Sequence, residues 1–232
     1  MNLDELGAAL EGAMPELDQD GVRLAPALFR ELARGEPVSE ALLAPAAQLS
    51  ASRVAELLSA WPGVFRDQGG NVVGFWGLAV VDMPPHRYHL GDTRLSTWCA
   101  FNPLFITRVL RTAARVESVD ALTGQPVSLT LTADGVDEAP GGMVLSFLQP
   151  DGKFDADVVT NFCHFVHFFA ARQNGERWAA QHPGVFLIEL AEADAVAERL
   201  CTKHRSGKRS SGDRLVLIQP LPRKRVGGLG RQ

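Results

Sequence analysis

The sequence predicts an α+β protein in which a helical N-terminal module precedes two β-β-α-β units. Apolar residues recur at helical spacing up to residue 61, in short segments closed by Gly or Pro. From residue 71 the sequence is instead rich in alternating β-branched and aromatic residues, a pattern typical of strands. The order strand, strand, helix, strand then occurs twice. We therefore expect domains at residues 1–70 and 71–201, followed by a C-terminal tail at 202–232.

The N-terminal module is predicted to be winged-helix-like. Helices are expected at residues 4–20, 24–33, 40–44 and 53–61, with Ser39 and Ser50 in capping positions and a hairpin at 65–73. Such modules can bind DNA, which requires several cations on one face. The second helix of the motif offers only Arg53 and the hairpin only Arg66. A packing role is favoured over nucleic-acid binding.

The remaining elements follow from periodicity, and they suggest an internal duplication. Each presumed unit carries one cysteine in the first half of its helix. The predicted strands cover residues 72–81, 87–90, 114–119, 127–132, 142–148, 185–190 and 215–218, and the predicted helices cover 97–110, 155–171, 176–181 and 191–201.

Composition excludes several classes of protein. An apolar share of 46% with 22% charged residues is typical of a globular chain. No apolar run is long enough to span a membrane, and the acidic N-terminus does not resemble a signal peptide. Three widely spaced cysteines do not form a disulfide framework, so a reducing cytoplasm is expected.

Charge is distributed unevenly along the chain. Residues 203–231 hold nine Lys and Arg against one acid, Asp213, which gives +8. Since the whole chain carries −4, the remainder carries −12. Such a basic tail is typically a solvated extension, although an acidic partner remains open.

Cys99 and Cys163 have matching surroundings, whereas Cys201 does not. Each follows an aromatic residue and precedes a phenylalanine by two positions, and each is followed by an apolar run. Thiolates are soft ligands that select soft metals. Buried structural cysteines would have the same appearance, so both interpretations remain open. A zinc site at Cys163, His164 and His167 is disfavoured because no second ligand pair is present.

Several segments together resemble the organomercurial lyase (alkylmercury lyase) family. They are residues 95–102, 112–118, 123–130 and 162–169, with a further likeness at 28–39. Several motifs agree in order, and the similarity covers about residues 25–190. The basic tail lies outside it.

The resemblance implies a winged-helix-like part plus two β-β-α-β units, and cleavage of a carbon–mercury bond. It places the two catalytic, mercury-binding thiolates at Cys99 and Cys163. It implies no cofactor, because mercury is substrate and product. The implied partners are organomercurials, low-molecular-weight thiols that remove Hg(II), and a mercuric reductase.

The sequence departs from the family pattern at the third catalytic position. Asn102 stands where the family has a proton-carrying aspartate, and an amide cannot carry that proton at neutral pH. His164 and Asp120 stand where cysteines are common in the family. We therefore expect an organomercurial lyase, with a non-catalytic mercury- or copper-binding protein or sensor as the alternative.

Overall fold

The computed structural model describes residues 2–202, in which helices and antiparallel strands are intermixed. The helices are α1 (Leu3–Ala13), α2 (Gln19–Leu32), α3 (Glu40–Ala47), α4 (Ala51–Ala60), α5 (Asn102–Leu110), α6 (Val158–Asn161), α7 (Arg172–Ala179) and α8 (Leu190–Thr202). The strands are β1 (Val64–Arg66), β2 (Val72–Phe75), β3 (Leu78–Ala79), β4 (Arg87–Leu90), β5 (Thr93–Thr97), β6 (Ala114–Val119), β7 (Pro126–Thr132), β8 (Gly135–Glu138), β9 (Val144–Leu148), β10 (Phe168–Phe169) and β11 (Val185–Glu189). The α+β class is confirmed. The predicted tail and the predicted strand at 215–218 lie outside the described residues.

The N-terminal helices begin where the sequence supplies caps. Asn2 forms a capping box with Glu5 at the start of α1, and the Ser50 hydroxyl accepts the Arg53 N–H at the start of α4. The single helix predicted over residues 4–20 was wrong. Met14 is extended because it precedes Pro15, whose ring disfavours a helical conformation in the residue before it, so α1 ends at Ala13.

The hairpin β1–β2 belongs to the main sheet. Strand β2 pairs with β1 on one side and with β3 on the other, within an eight-stranded sheet ordered β1-β2-β3-β5-β4-β6-β7-β8. The winged-helix description and the domain limits stay predictions. The cations of the second helix and of the hairpin are both paired with carboxylates, Arg53 with Asp18, Asp20 and Glu56, and Arg66 with Glu40.

Two β-β-α-β units are present, and they have the same strand order. In β4-β5-α5-β6 the first strand is central and pairs antiparallel with the other two. The same holds for β9-β10-α7-β11, which forms a separate three-stranded sheet ordered β10-β9-β11. The cysteines occupy different connections. Cys99 lies between β5 and α5, whereas Cys163 lies between β9 and β10.

One continuous apolar core joins these elements. It includes buried residues of α1, α2, both sheets and α8, and helix α5 packs against α8 and α2. Every residue of α5 is buried, which places its N-terminus deep in the protein. None of the described helices is both long and apolar enough to cross a membrane.

The two units are joined by the buried carboxylate of Asp120, at the end of β6. One carboxylate oxygen accepts the backbone N–H groups of Leu122 and Thr123, both at 3.0 Å. The other accepts the Ala170 N–H and the Asn174 side-chain amide, both at 2.8 Å. Burial alone would raise the pKa of Asp120, but these four hydrogen bonds outweigh it and hold the pKa below its ordinary value.

We expect Asp120→Asn to lower the free energy of unfolding by about 2–4 kcal/mol, because an amide group must face backbone donors that a carboxylate satisfied. The stabilisation depends on the carboxylate. It is present above the unfolded pKa of about 3.9 and is lost as pH falls through the depressed folded value. Urea unfolding at pH 7 and in acid checks both points.

The matched control for this variant is Asp137→Asn, since Asp137 is exposed on β8. Its effect should stay within about 0.5 kcal/mol. Equal losses in the two variants at pH 7 would contradict the role assigned to Asp120.

Candidate active site

Cys99 lies in the loop between β5 and α5 and is fully buried. The expected position in the first half of a helix was wrong, because α5 begins only at Asn102. Pro103 explains the later start, since proline fits the first turn of a helix, where its missing N–H needs no partner. Cys99 is therefore held by the loop preceding the helix.

Cys163 lies in a 3₁₀ turn, Cys163–Phe165, and is 3% exposed. The helix predicted over residues 155–171 was wrong. Helix α6 lasts only four residues, and Phe168 and Phe169 form strand β10, which pairs with β9. Strand pairing with β9 satisfies the backbone there and overrides the helical spacing of the apolar residues.

The two cysteine loops are fastened to each other. The Ala100 N–H donates to the Val166 carbonyl oxygen at 3.1 Å, which joins the residue after Cys99 to the end of the 3₁₀ turn. The Cys99 side chain adjoins the Cys163 thiol. This contact, together with burial and the charge that Cys99 would carry when ionised, raises the pKa of the Cys163 thiol well above its ordinary value. The pair therefore retains a proton on Cys163 at neutral pH.

Asn102 lies beside the thiol pair as the first residue of α5. Its Oδ1 accepts the Cys99 backbone N–H at 2.9 Å, and only 8% of the residue is exposed. Gly77 leaves room for the Asn102 side chain because glycine has no Cβ. A Cβ on Gly77 would lie 2.6 Å from Asn102 Nδ2, closer than real Cβ atoms approach a neighbour, and the φ angle of Gly77 is +97°.

A small apolar cavity, here the inner cavity, adjoins the site. Its volume is about 30 Å³, which is room for one or two water molecules. Cys163 is the one ionisable side chain among its described lining residues, and Cys99 does not line it. The lining residues are Leu10, Met14, Trp76, Gly77, Trp98, Phe101, Asn102, Phe105, Phe154, Val158, Phe162, Cys163 and Leu200.

Several of these lining residues were missed by sequence reasoning. Leu10 and Met14 come from α1 and Leu200 from α8, and nothing in their local sequence separates them from ordinary core residues. Gly77 could have been found, since an isolated glycine within a strand pattern often marks a close approach of another group.

The histidines near Cys163 do not complete a metal site. His164 is exposed, although it follows the buried Cys163 directly. In residues 2–202 no group of three or more His, Cys, Asp or Glu side chains is arranged to hold a metal ion. Cys201 is buried on α8, where burial raises its pKa to about 12, and its thiol lies 3.9 Å from the Phe105 carbonyl oxygen.

A family model described as alkylmercury lyase (MerB) matches residues 82–202. An alkylmercury lyase of Pseudomonas putida is 35% identical over 177 residues, which cover 76% of this chain and 82% of the relative. One from Streptomyces lividans is 35% identical over 72% of this chain and 76% of the relative. One from Bacillus cereus is 29% identical over 80% and 84% respectively.

A solved structure described as the mercury-bound form of MerB2 has a similar fold. It superposes with a TM-score of 0.70 over 85% of this chain and 97% of that chain, at 22% sequence identity.

The contact between Gly77 and Asn102 yields a prediction about the site. We expect Gly77→Ala to lower the free energy of unfolding by about 1–3 kcal/mol, because the methyl group meets the Asn102 amide in a strained backbone conformation. Urea unfolding measures the loss.

Gly12→Ala is the matched control, since Gly12 lies in α1 and a Cβ there meets nothing within 4 Å. It should be neutral or stabilising by up to about 1 kcal/mol. A neutral Gly77→Ala variant would refute the close approach.

Proposed function

Because the chain belongs to the alkylmercury lyase family, we propose that it cleaves the carbon–mercury bond of organomercurials between the thiols of Cys99 and Cys163. The chain is a carbon–mercury lyase, and the roles of individual residues are our proposal. The observation that carries them is the adjacent, buried pair of thiols beside an apolar cavity.

Mercury is captured by sulfur. Two soft thiolates weaken the bond between mercury and carbon because they donate electron density to the metal. We assign the first mercury–sulfur bond to Cys99, because the raised pKa of Cys163 keeps the Cys163 proton available for the later step. As this bond forms, the proton of the Cys99 thiol leaves with the ligand that mercury carried, and the organic group stays attached to mercury on Cys99.

Cys163 then supplies both the second sulfur and the proton. Its sulfur bonds to mercury, the mercury–carbon bond breaks, and the thiol proton passes to the carbon. The products are a hydrocarbon and Hg(II) held between two sulfurs, and no further acid is required. Cys163 lines the inner cavity, so it adjoins the apolar space where the organic group would lie.

Asn102 has a positioning role in this scheme. Its Oδ1 fixes the loop of Cys99 through the backbone N–H, which an aspartate could also do. An amide cannot relay a proton. The direct transfer from Cys163 replaces the route that the family's aspartate would provide.

Release of mercury requires another soft ligand. We propose that low-molecular-weight thiols or a mercuric reductase accept Hg(II), and that no further cofactor takes part. We also propose a reducing, cytoplasmic location, because both thiols must stay reduced to react.

Loss of either sulfur tests the assignment directly. We expect Cys99→Ser and Cys163→Ser each to reduce benzene release from phenylmercury by at least about 10³-fold, since each removes one of two required soft ligands. Gas chromatography of the headspace, with purified full-length protein and excess thiol, gives the rate.

Cys201→Ser is the control and should keep the wild-type rate, because Cys201 does not line the inner cavity. Benzene release by either active-site serine variant at the wild-type rate would end the proposal. Tight one-to-one mercury retention without benzene in the wild type would instead indicate a mercury-binding protein on a lyase fold.

Asn102→Asp tests the source of the proton. A carboxylate at this position can still accept the Cys99 N–H and can also carry a proton, so we expect single-turnover benzene release to rise by about 10–100-fold. Rapid-quench measurement of benzene from phenylmercury-loaded protein provides the rate constant.

The double variant Asn102→Asp, Cys163→Ser should remain inactive, because mercury would lack its second sulfur. An unchanged rate in the single variant would show that proton transfer does not limit the reaction.

A further inference from the structure

A second cavity, here the outer pocket, shares a wall with the inner cavity. Its volume is about 310 Å³, and Phe154, Val158 and Phe162 line both spaces. These three side chains therefore form the partition between the outer pocket and the cavity that Cys163 lines. The other lining residues of the outer pocket are Leu148, Gln149, Pro150, Asp151, Gly152, Lys153, Asp155 and Asn161.

The two spaces differ in chemistry. The inner cavity is lined almost entirely by apolar and aromatic side chains, which suits the organic group of a substrate. The outer pocket carries Asp151, Lys153 and Asp155 on one loop. Lys153 is paired with Glu16 at 3.1 Å, so the two aspartates dominate the field within the pocket. A ligand with a positive group is favoured there.

Two polar contacts and one ring contact hold the Phe154 side of the partition. The loop that carries Phe154 is fastened to the end of α1 by the Phe154 N–H, which donates to the Ala13 carbonyl at 2.8 Å, and by the exposed pair of Lys153 and Glu16. Phe154 packs against Phe162 with ring centroids 4.9 Å apart. Because the inner cavity is smaller than phenylmercury, substrate entry requires this wall or its neighbours to move.

We propose that the outer pocket binds the small thiol that exchanges with the mercury site, and that it favours thiols bearing an ammonium group. The inference rests on the proposed function, since it concerns the removal of that reaction's product. A soft metal leaves one thiolate most readily for another, and the outer pocket is the polar space that shares a wall with the cavity lined by Cys163.

The exchange balances without a further reactant. The incoming sulfur bonds to Hg(II) as the bond to Cys163 breaks, and the proton of the incoming thiol passes to the Cys163 sulfur. A second thiol releases Cys99 in the same way. Hg(II) leaves bound to two small thiolates, and no electron is transferred.

The test measures mercury transfer to thiols of different charge. Full-length protein carrying one Hg(II) is mixed with cysteamine, 2-mercaptoethanol or mercaptoacetate, which carry a positive, neutral or negative group beside the thiol. The rates are compared between wild type and the double variant Asp151→Asn, Asp155→Asn. Asparagine at 155 keeps an oxygen that can accept the Asp157 N–H, as Asp155 does at 2.9 Å.

The rate of the variant is divided by the rate of the wild type for each thiol. This ratio removes the effect of that thiol's intrinsic reactivity. We expect the cysteamine rate to fall about threefold to tenfold, the 2-mercaptoethanol rate to change less than about twofold, and the mercaptoacetate rate to rise, with all differences shrinking at high salt. The control Asp134→Asn, Asp137→Asn changes the net charge equally at two exposed positions that line neither cavity, and it should leave all three rates unchanged.

Equal ratios for the three thiols, or the same pattern in the control, would overturn the inference. The proposed function is judged separately, by single-turnover benzene release in the absence of exchange. That rate should be unaltered in the Asp151→Asn, Asp155→Asn variant. Absence of benzene from the wild type would count against the lyase chemistry and not against thiol exchange at the pocket.

Discussion

The close approach of the Cys99 and Cys163 thiols is the contact on which the chemistry depends. It exists because two loops from different units are joined by the bond from the Ala100 N–H to the Val166 carbonyl. Burial and the neighbouring sulfur keep a proton on Cys163. In the proposed reaction the carbon accepts this proton when the carbon–mercury bond breaks. The two cysteines therefore supply both the sulfur ligands of mercury and the acid.

The surroundings of the pair reinforce this arrangement. A cavity lined by aromatic and aliphatic side chains would stabilise an organic group and penalise an unpaired charge. Asparagine at position 102 meets that condition, since it is neutral and its oxygen is used by the Cys99 N–H. Polar and charged side chains lie on the other side of the Phe154 wall, where a thiol could exchange with mercury.

The two β-β-α-β units show where sequence patterns succeed and fail. Strands β4 and β6 were predicted at their observed limits, because alternation is a local property of a half-buried strand. The strand β5 and the hairpin strand β8 were missed, since both are short and carry polar or charged residues. The prediction that the two cysteines occupy equivalent positions in the two units was wrong. The units share one strand order, yet Cys99 and Cys163 lie in different connections.

The sequence by itself determined the α+β class, the family and the three residues proposed to act, because motif identity and residue chemistry are encoded locally. Only the tertiary structure decided how they act together. The raised pKa of Cys163 comes from its contact with Cys99, 64 positions away along the chain, and from burial. The cavity wall includes side chains of α1 and α8, whose sequences are those of ordinary core helices. Both facts depend on packing between distant segments, which no local pattern records.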